Sequence, residues 1–266
     1  MTSTLTVADS AIAVRVEPTA PAAGRAAGRA AAELLRRLLA GQELVRVAFA
    51  AAPSQDACLA ELRAAEGIDW SRVVAFQLDD YVGLPQGGPG TFAAYLRRHV
   101  LDAVSPGTVH YMDVADGAAE AAEAGRRAYA ELLSAAPLDL VLLGIGENGH
   151  LAFNDPPLAD RHDPQAARLV ELDHASRVQQ VNDGCFAGVD DVPTRALTLT
   201  LPTLLDGRHL VCTVPGPRKR AAVTRALLGP VDAGSPASYL REHPAVELFL
   251  DRESAPVVPA GEGATR

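Results

Sequence analysis

Three groups of residues in this chain carry side chains suited to moving protons and holding an anion. The first is the run Gly144-Ile-Gly-Glu-Asn-Gly-His150, with Asp155 five residues beyond the histidine and Asn148 two before it. A turn can bring the Asp155 carboxylate to the imidazole, fixing its tautomer and raising its basicity. Flexible glycines around such a pair suit a proton-transfer site. The second is Phe76-Gln-Leu-Asp-Asp-Tyr-Val-Gly-Leu84, where Asp79 and Asp80 end an apolar run. Adjacent carboxylates there are costly to desolvate and repel each other, which can push one pKa up toward general-base work. The plainer alternative is a solvated strand end, with Asp80 capping the next segment. The third is Pro215-Gly-Pro-Arg-Lys-Arg220. Pro217 suits a first helical position, and a helix N-terminus beside Lys219 is a phosphate cradle or simply a solvated helix start.

Gly144, Gly146 and Gly149 also satisfy G-x-G-x-x-G after a predicted strand, the pattern of a dinucleotide site. That site needs a helix opening at the glycines. Here Leu-Ala-Phe-Asn-Asp-Pro-Pro follows His150, and two prolines so soon oppose a crossover helix. The run reads instead as a tight turn that presents His150.

The elements that must position these groups alternate along the chain. Strands are expected over residues 11–16, 44–50, 72–78, 138–143, 196–200, 209–214 and 246–250, and helices over 24–39, 53–65, 91–101, 118–133 and 217–228. The unbroken apolar run at 138–143 suits a strand buried on both faces of a parallel sheet. This pattern implies a single α/β catalytic domain over residues 11–252, with a mainly parallel central sheet and helices on both faces. Residues 1–10 and 253–266 are expected as flexible tails. Residues 157–193 show few helical signals, and such long stretches are often functional. Ligands in these sheets bind beyond the carboxyl ends of the strands, which selects the loops after Ala50, Leu78 and Leu143.

With 24 Lys and Arg against 33 Asp and Glu, the net charge of -9 argues against nucleic acid or an anionic membrane as partner. Cys58, Cys185 and Cys212 are sparse and show no Cys-x-x-Cys spacing, against a disulfide framework or a zinc site. No apolar run is long enough to span a bilayer and no secretory signal pattern opens the chain, so a cytoplasmic enzyme is expected.

The segments Leu78-Asp-Asp-Tyr-Val-Gly-Leu84, Gly144-x-Gly-x-Asn-Gly-His-Leu-Ala-Phe-Asn-Asp-Pro156, Pro193-Thr-Arg-Ala-Leu-Thr-Leu-Thr200, Leu204-Leu-Asp-Gly207 and Pro215-Gly-Pro-Arg-Lys219 together resemble the glucosamine-6-phosphate deaminase (isomerase) family. Its wider superfamily also contains 6-phosphogluconolactonases. The likeness runs from about residue 40 to 251. It implies a Rossmann-like three-layer α/β sandwich and an aldose-ketose isomerisation of an amino-sugar phosphate with loss of ammonia, without a metal or organic cofactor. By this resemblance His150 opens the sugar ring, Asp155 orients and charge-tunes it, Asn148 completes that group, and Asp79 carries the proton between C2 and C1. Ser54, Asp80, Gly146, Gly149, Arg177 and Lys219 form the expected substrate- and phosphate-binding set. The partner is then a small sugar phosphate, with a homo-oligomer left open.

This chain departs from the family in three places. Asp155 stands where many relatives have Glu. Ala50-Ala-Ala-Pro-Ser54 replaces a Gly-Gly-Thr/Ser-Pro type of turn. Asn182 falls where relatives place a phosphate-contacting arginine, for which Arg177, Arg218 or Arg220 could compensate. A lactonase-type hydrolase and a non-catalytic sugar-phosphate binder are the alternatives. Against them stand the Leu-Ala-Phe-Asn-Asp-Pro segment and the intact Asp79, His150 and Asp155 set.

Overall fold

The computed structural model describes residues 2–7, 10–112 and 114–257. Its chain begins with strands β1 (Ser3–Leu5) and β2 (Ala13–Glu17), helix α1 (Ala20–Gly41), strand β3 (Val45–Phe49) and helix α2 (Asp56–Ala64). Strands β4 (Val73–Gln77) and β5 (Asp79–Tyr81) follow. Helix α3 (Phe92–Leu96) then runs through a π turn into α4 (Asp102–Val104), before β6 (Thr108–His110), α5 (Ala119–Ser134) and β7 (Leu140–Leu143). The remainder is β8 (Ala167–Glu171), α6 (His174–Asn182), β9 (Arg195–Leu199), α7 (Leu201–Leu205), β10 (His209–Val214), α8 (Arg220–Leu228) and β11 (Val246–Asp251).

Eight strands form one sheet in the order β1-β2-β11-β10-β7-β3-β4-β6, parallel throughout except for the β1–β2 pair. Successive side chains of a strand point to opposite faces, and β7 shows the consequence. Leu140 and Leu142 join the core under α1, α2 and α3, while Val141 and Leu143 join the core under α5, α7 and α8. The expected three-layer sandwich is therefore present. No helix among the described residues is long and apolar enough to cross a membrane.

The structure corrects the sequence reading at several elements. Residues 3–5 lie within the expected N-terminal tail, yet Ser3, Thr4 and Leu5 pair with Val16, Arg15 and Val14. At the other end, Ser254 is buried and its backbone amide donates to the Asp251 carboxylate at 2.8 Å, so the chain is held past residue 253. The rest of that expected tail, 258–266, lies outside the described residues. The expected strand at 196–200 belongs to a second, antiparallel sheet of order β5-β9-β8 rather than to the parallel one. The stretch 157–193 contains both β8 and α6. The α6 signal is local: Asp173 accepts from the Ala175 amide at 3.2 Å and caps the helix. Strand β6 pairs with β4 over only three residues, too short for a periodicity to show.

The two cores share β7, so a truncation there is felt on the face it leaves. Leu142→Ala is expected to lower stability by about 3 kcal/mol, read from the shift of the urea-unfolding midpoint.

Candidate active site

The carboxyl ends of β10, β7, β3 and β4 stand side by side, and their loops line an open cleft. From β3 the chain proceeds to β4 and β6 on one side, and from β7 to β10 and β11 on the other. Strand order thus reverses between β3 and β7, the position where open sheets leave a crevice for ligand. Ala50, Ala51, Ala52, Ser54 and Gln55 enter after β3, Leu78 and Asp79 after β4, Gly144 to Gly146 and His150 after β7, and Lys219 after β10.

The turn after β7 is closed by its own backbone. The Gly146 amide donates to the His150 carbonyl at 2.9 Å, and the Gly149 amide to the Gly146 carbonyl at 3.0 Å. Gly149 adopts φ +92°, a conformation few side chains tolerate. Gly146 meets a different demand: a Cβ there would lie 2.2–2.4 Å from the His150 ring atoms, so the imidazole rests flat on bare backbone. Beyond the turn, Phe153 donates its amide to Thr198 at 3.1 Å and Asn154 donates to the Leu199 carbonyl at 2.8 Å, fastening the loop to β9.

Behind the ring, His150 Nδ1 lies 3.1 Å from Asp155 Oδ1 and 3.0 Å from Ser176 Oγ. Asn148 Nδ2 donates to the same Asp155 oxygen at 2.9 Å, and Asn148 Oδ1 accepts the His150 amide at 3.1 Å. Burial alone would raise the Asp155 pKa. The imidazole, Asn148 and the Ser176 hydroxyl together outweigh it and hold the carboxyl at about 2. Asp79 is in the opposite situation. It is 8 % exposed, and no hydrogen bond reaches its carboxylate from the described residues. Burial first, then the charges of Asp80 and Asp155, push it well above the usual carboxylate range. One cleft therefore holds a carboxylate poised to accept a proton and an imidazole backed by one that stays ionised. That pairing can open a ring and shift a proton between neighbouring carbons.

Among the predicted residues, Asp79, His150, Ser54, Gly146 and Lys219 line the cleft, and Asn148 and Asp155 brace His150 from behind. Three residues of the expected binding set are engaged elsewhere. The Asp80 carboxylate accepts from the amides of Tyr81, Phe92 and Ala93 and from Gln77 Nε2, at 2.8–3.0 Å, so it caps α3 with no oxygen left to point at a ligand. Arg177 donates to the carbonyls of Val189 and Val192 and holds that loop, off the cleft. Gly149 sits under Ser235 and serves the turn alone. The other two candidate arginines are also engaged. Arg218 pairs with Glu147 at 3.0 Å and Asp183 at 2.8 Å, and Arg220 donates to the carbonyls of Arg252 and Glu253. Lys219 is then the cation of the cleft, 6 % exposed, its pKa lowered by burial against the opposing pull of Asp183 and Glu147.

Residues that sequence reasoning missed come mostly from α6: Ser176 behind the histidine, and Gln179 and Gln180 in the cleft wall. Gln55 is the other, bridging Ser54 Oγ at 3.3 Å and the Thr213 carbonyl at 3.0 Å. Only the Asp173 cap could have flagged α6. Among the described residues no group of three or more His, Cys, Asp or Glu converges as metal ligands would.

Residues 18–249 match the family model described as glucosamine-6-phosphate isomerases/6-phosphogluconolactonase. The chain is 38% identical over 200 residues to a glucosamine-6-phosphate deaminase of Arthrobacter sp. (strain FB24), covering 74% of each chain. It is 36% identical over 246 residues to one of Streptomyces avermitilis, covering 91% of each. Among solved structures it resembles a monomeric glucosamine-6-phosphate deaminase, with TM-score 0.80 and 26% identity over 91% of this chain and 98% of that one. The 6-phosphogluconolactonase of Trypanosoma brucei shares the fold at TM-score 0.74 and 18% identity, over 91% and 96% of the two chains.

The two carboxylates should act on stability with opposite signs at neutral pH. The Asp155 pKa is lower folded than unfolded, so its contribution is complete above about 4 and is lost as pH falls from there toward 2. Asp155→Asn should therefore destabilise by about 2 kcal/mol at pH 7. The Asp79 pKa is higher folded, so its penalty grows as pH climbs above the unfolded value. Asp79→Asn should raise the thermal midpoint at pH 7, and a fall would contradict the assigned environment. Gly146→Ala should keep the fold by circular dichroism while displacing the His150 ring.

Proposed function

The chain belongs to the family of glucosamine-6-phosphate isomerases and 6-phosphogluconolactonases, and we propose that it converts glucosamine 6-phosphate and water to fructose 6-phosphate and ammonia. The observation that carries this reading is Asp79, a buried carboxylate with a raised pKa in the same cleft as His150. A carbon acid next to a carbonyl gives up its proton slowly, and a carboxylate of raised pKa is the stronger base for it. Lactone hydrolysis removes no carbon-bound proton and would leave Asp79 idle. A binding protein would need neither Asp79 nor the His150–Asp155 pair.

The chemistry runs in two stages. His150 takes the proton of the anomeric hydroxyl and returns one to the ring oxygen as the C1–O5 bond breaks, giving the open aldehyde. Asp155, ionised throughout, stabilises the imidazolium that forms between these transfers, and Asn148 holds Asp155 in place. Asp79 then removes the C2 proton, and the electron pair forms the C1–C2 double bond of an enolamine as the carbonyl oxygen gains a proton. Return of the proton to C1 leaves an iminium at C2. Water adds there, and ammonia departs to leave the ketose. Lys219 and Ser54, aided by the helix start that follows Pro53, hold the phosphate. A sugar phosphate does not cross a bilayer unaided, and on this reading the enzyme works in the cytoplasm.

Assays with the gluco and galacto 2-amino-2-deoxyhexose 6-phosphates and with 6-phosphogluconolactone separate the alternatives. Ammonia should appear with a ketose phosphate from an amino sugar. Lactone hydrolysis without ammonia would sink the proposal. Asp79→Asn should cut kcat by roughly 10²–10⁴-fold and abolish exchange of the C2 hydrogen with deuterium oxide, with KM little changed. Exchange at a near-normal rate would remove Asp79 from the role of base.

A further inference from the structure

We infer that Ser176 is a positioning residue for His150, its hydroxyl holding the imidazole with Nδ1 protonated so that Nε2 is the nitrogen that exchanges protons with substrate. The inference deepens the catalytic reading above, since it concerns how the ring-opening histidine is kept ready. Ser176 lies in α6, is 1 % exposed and does not line the cleft, so it touches no substrate itself. Its Oγ stands 2.5 Å from Asp155 Oδ1 and 3.0 Å from His150 Nδ1, closing a triangle with the 3.1 Å contact between those two groups.

That triangle admits one arrangement of protons. Two oxygens at such a separation need a proton between them, and Asp155, held at about 2, does not supply it. The serine hydroxyl therefore donates to Asp155. With its single proton spent, Oγ can meet Nδ1 only as an acceptor, which requires a hydrogen on Nδ1. In the neutral ring Nε2 then carries the lone pair. The imidazolium satisfies the same contacts, so ring and carboxylate need not move when the proton arrives or leaves. Asp155 alone would leave more freedom. Its Oδ1 serves both Asn148 and His150, and rotation of the carboxylate about its own bond would release the ring. The hydroxyl ties this oxygen to a third element and removes that rotation. The other charged groups that line the cleft with the ring come from elsewhere: Asp79 opens β5 and Lys219 lies in the segment after β10. Neither has a hydrogen bond to the ring that could set its tautomer.

The test uses the full chain with ¹⁵N-labelled histidine. Long-range proton–nitrogen spectra should show wild-type neutral His150 in a single form, protonated on Nδ1. Ser176→Ala should show both tautomers, with kcat lowered on the order of 10- to 100-fold and KM within about twofold. Ser176→Thr and Ser176→Val have matched shapes and differ in the hydroxyl, so they control for packing. Threonine should restore the single tautomer and most of the turnover, and valine neither. Equal behaviour of the two, or a single Nδ1-protonated form persisting in Ser176→Ala, would overturn the inference. The tautomer reading needs no substrate. If the wild type released no ammonia from any amino-sugar phosphate, the proposed reaction would fail while the spectra still decided the role of Ser176.

Discussion

The arrangement of the cleft depends on one contact, the face of the His150 imidazole lying on the backbone of Gly146. A side chain at position 146 would occupy the ring's place, so this glycine creates the seat and Gly149, by its left-handed backbone, returns the chain to fill it. The seat fixes the plane of the ring, and the plane decides which partners its nitrogens can reach. Asp155 and Ser176 lie at one nitrogen, and the cleft is left to the other. Both the anchoring of the loop on β9 and the placement of α6 serve this geometry. A ring free to tilt would lose the alignment with both partners.

Three carboxylates near one another differ both in burial and in the donors they receive. Asp80 accepts four hydrogen bonds and is spent on capping α3. Asp155 accepts from Asn148 and Ser176 and faces the imidazole, which offsets its burial and keeps it ionised. Asp79 is more deeply buried than Asp155 and receives none from the described residues, so desolvation and its acidic neighbours set its character. The difference between Asp79 and Asp80, adjacent in sequence, arises from strand alternation: one side chain faces the cleft and the other faces the start of α3. Burial raises the pKa of both; four donors offset part of that at Asp80, whereas at Asp79 its acidic neighbours add to it.

How much of this was legible in the sequence follows from the range of the contacts. The loop from Gly144 to Asp155 is local, and its glycines, histidine and carboxylate could be placed from spacing alone. The parallel sheet was legible too, because β7 is an unbroken apolar run between helical patterns. Ser176, Gln179 and Gln180 were not, since they reach the site through α6, whose packing against the β7 loop leaves no mark in local periodicity. Asp80 and Arg177 were assigned to the ligand because residue type says what a side chain can bind, while its direction depends on the chain around it. Asp80 was a cap, as the plainer reading allowed. The antiparallel β5-β9-β8 sheet was hidden because β5 is three residues long and follows β4 after a single residue.

On the proposed function, the same distinction bears on how a phosphate would be held without a cluster of arginines. Arg177, Arg218 and Arg220 are all candidates by residue type, and each is turned to carbonyls or carboxylates of the fold. Arg218 has an indirect effect on the cleft, for it pairs with Glu147 and Asp183, the two acids that act on Lys219. Lys219 is buried, has no ion pair among the described residues, and has its pKa lowered by burial. On the proposed function, one poorly solvated cation at a helix start would attract a phosphate more strongly than its formal charge suggests, because low local polarity strengthens the attraction.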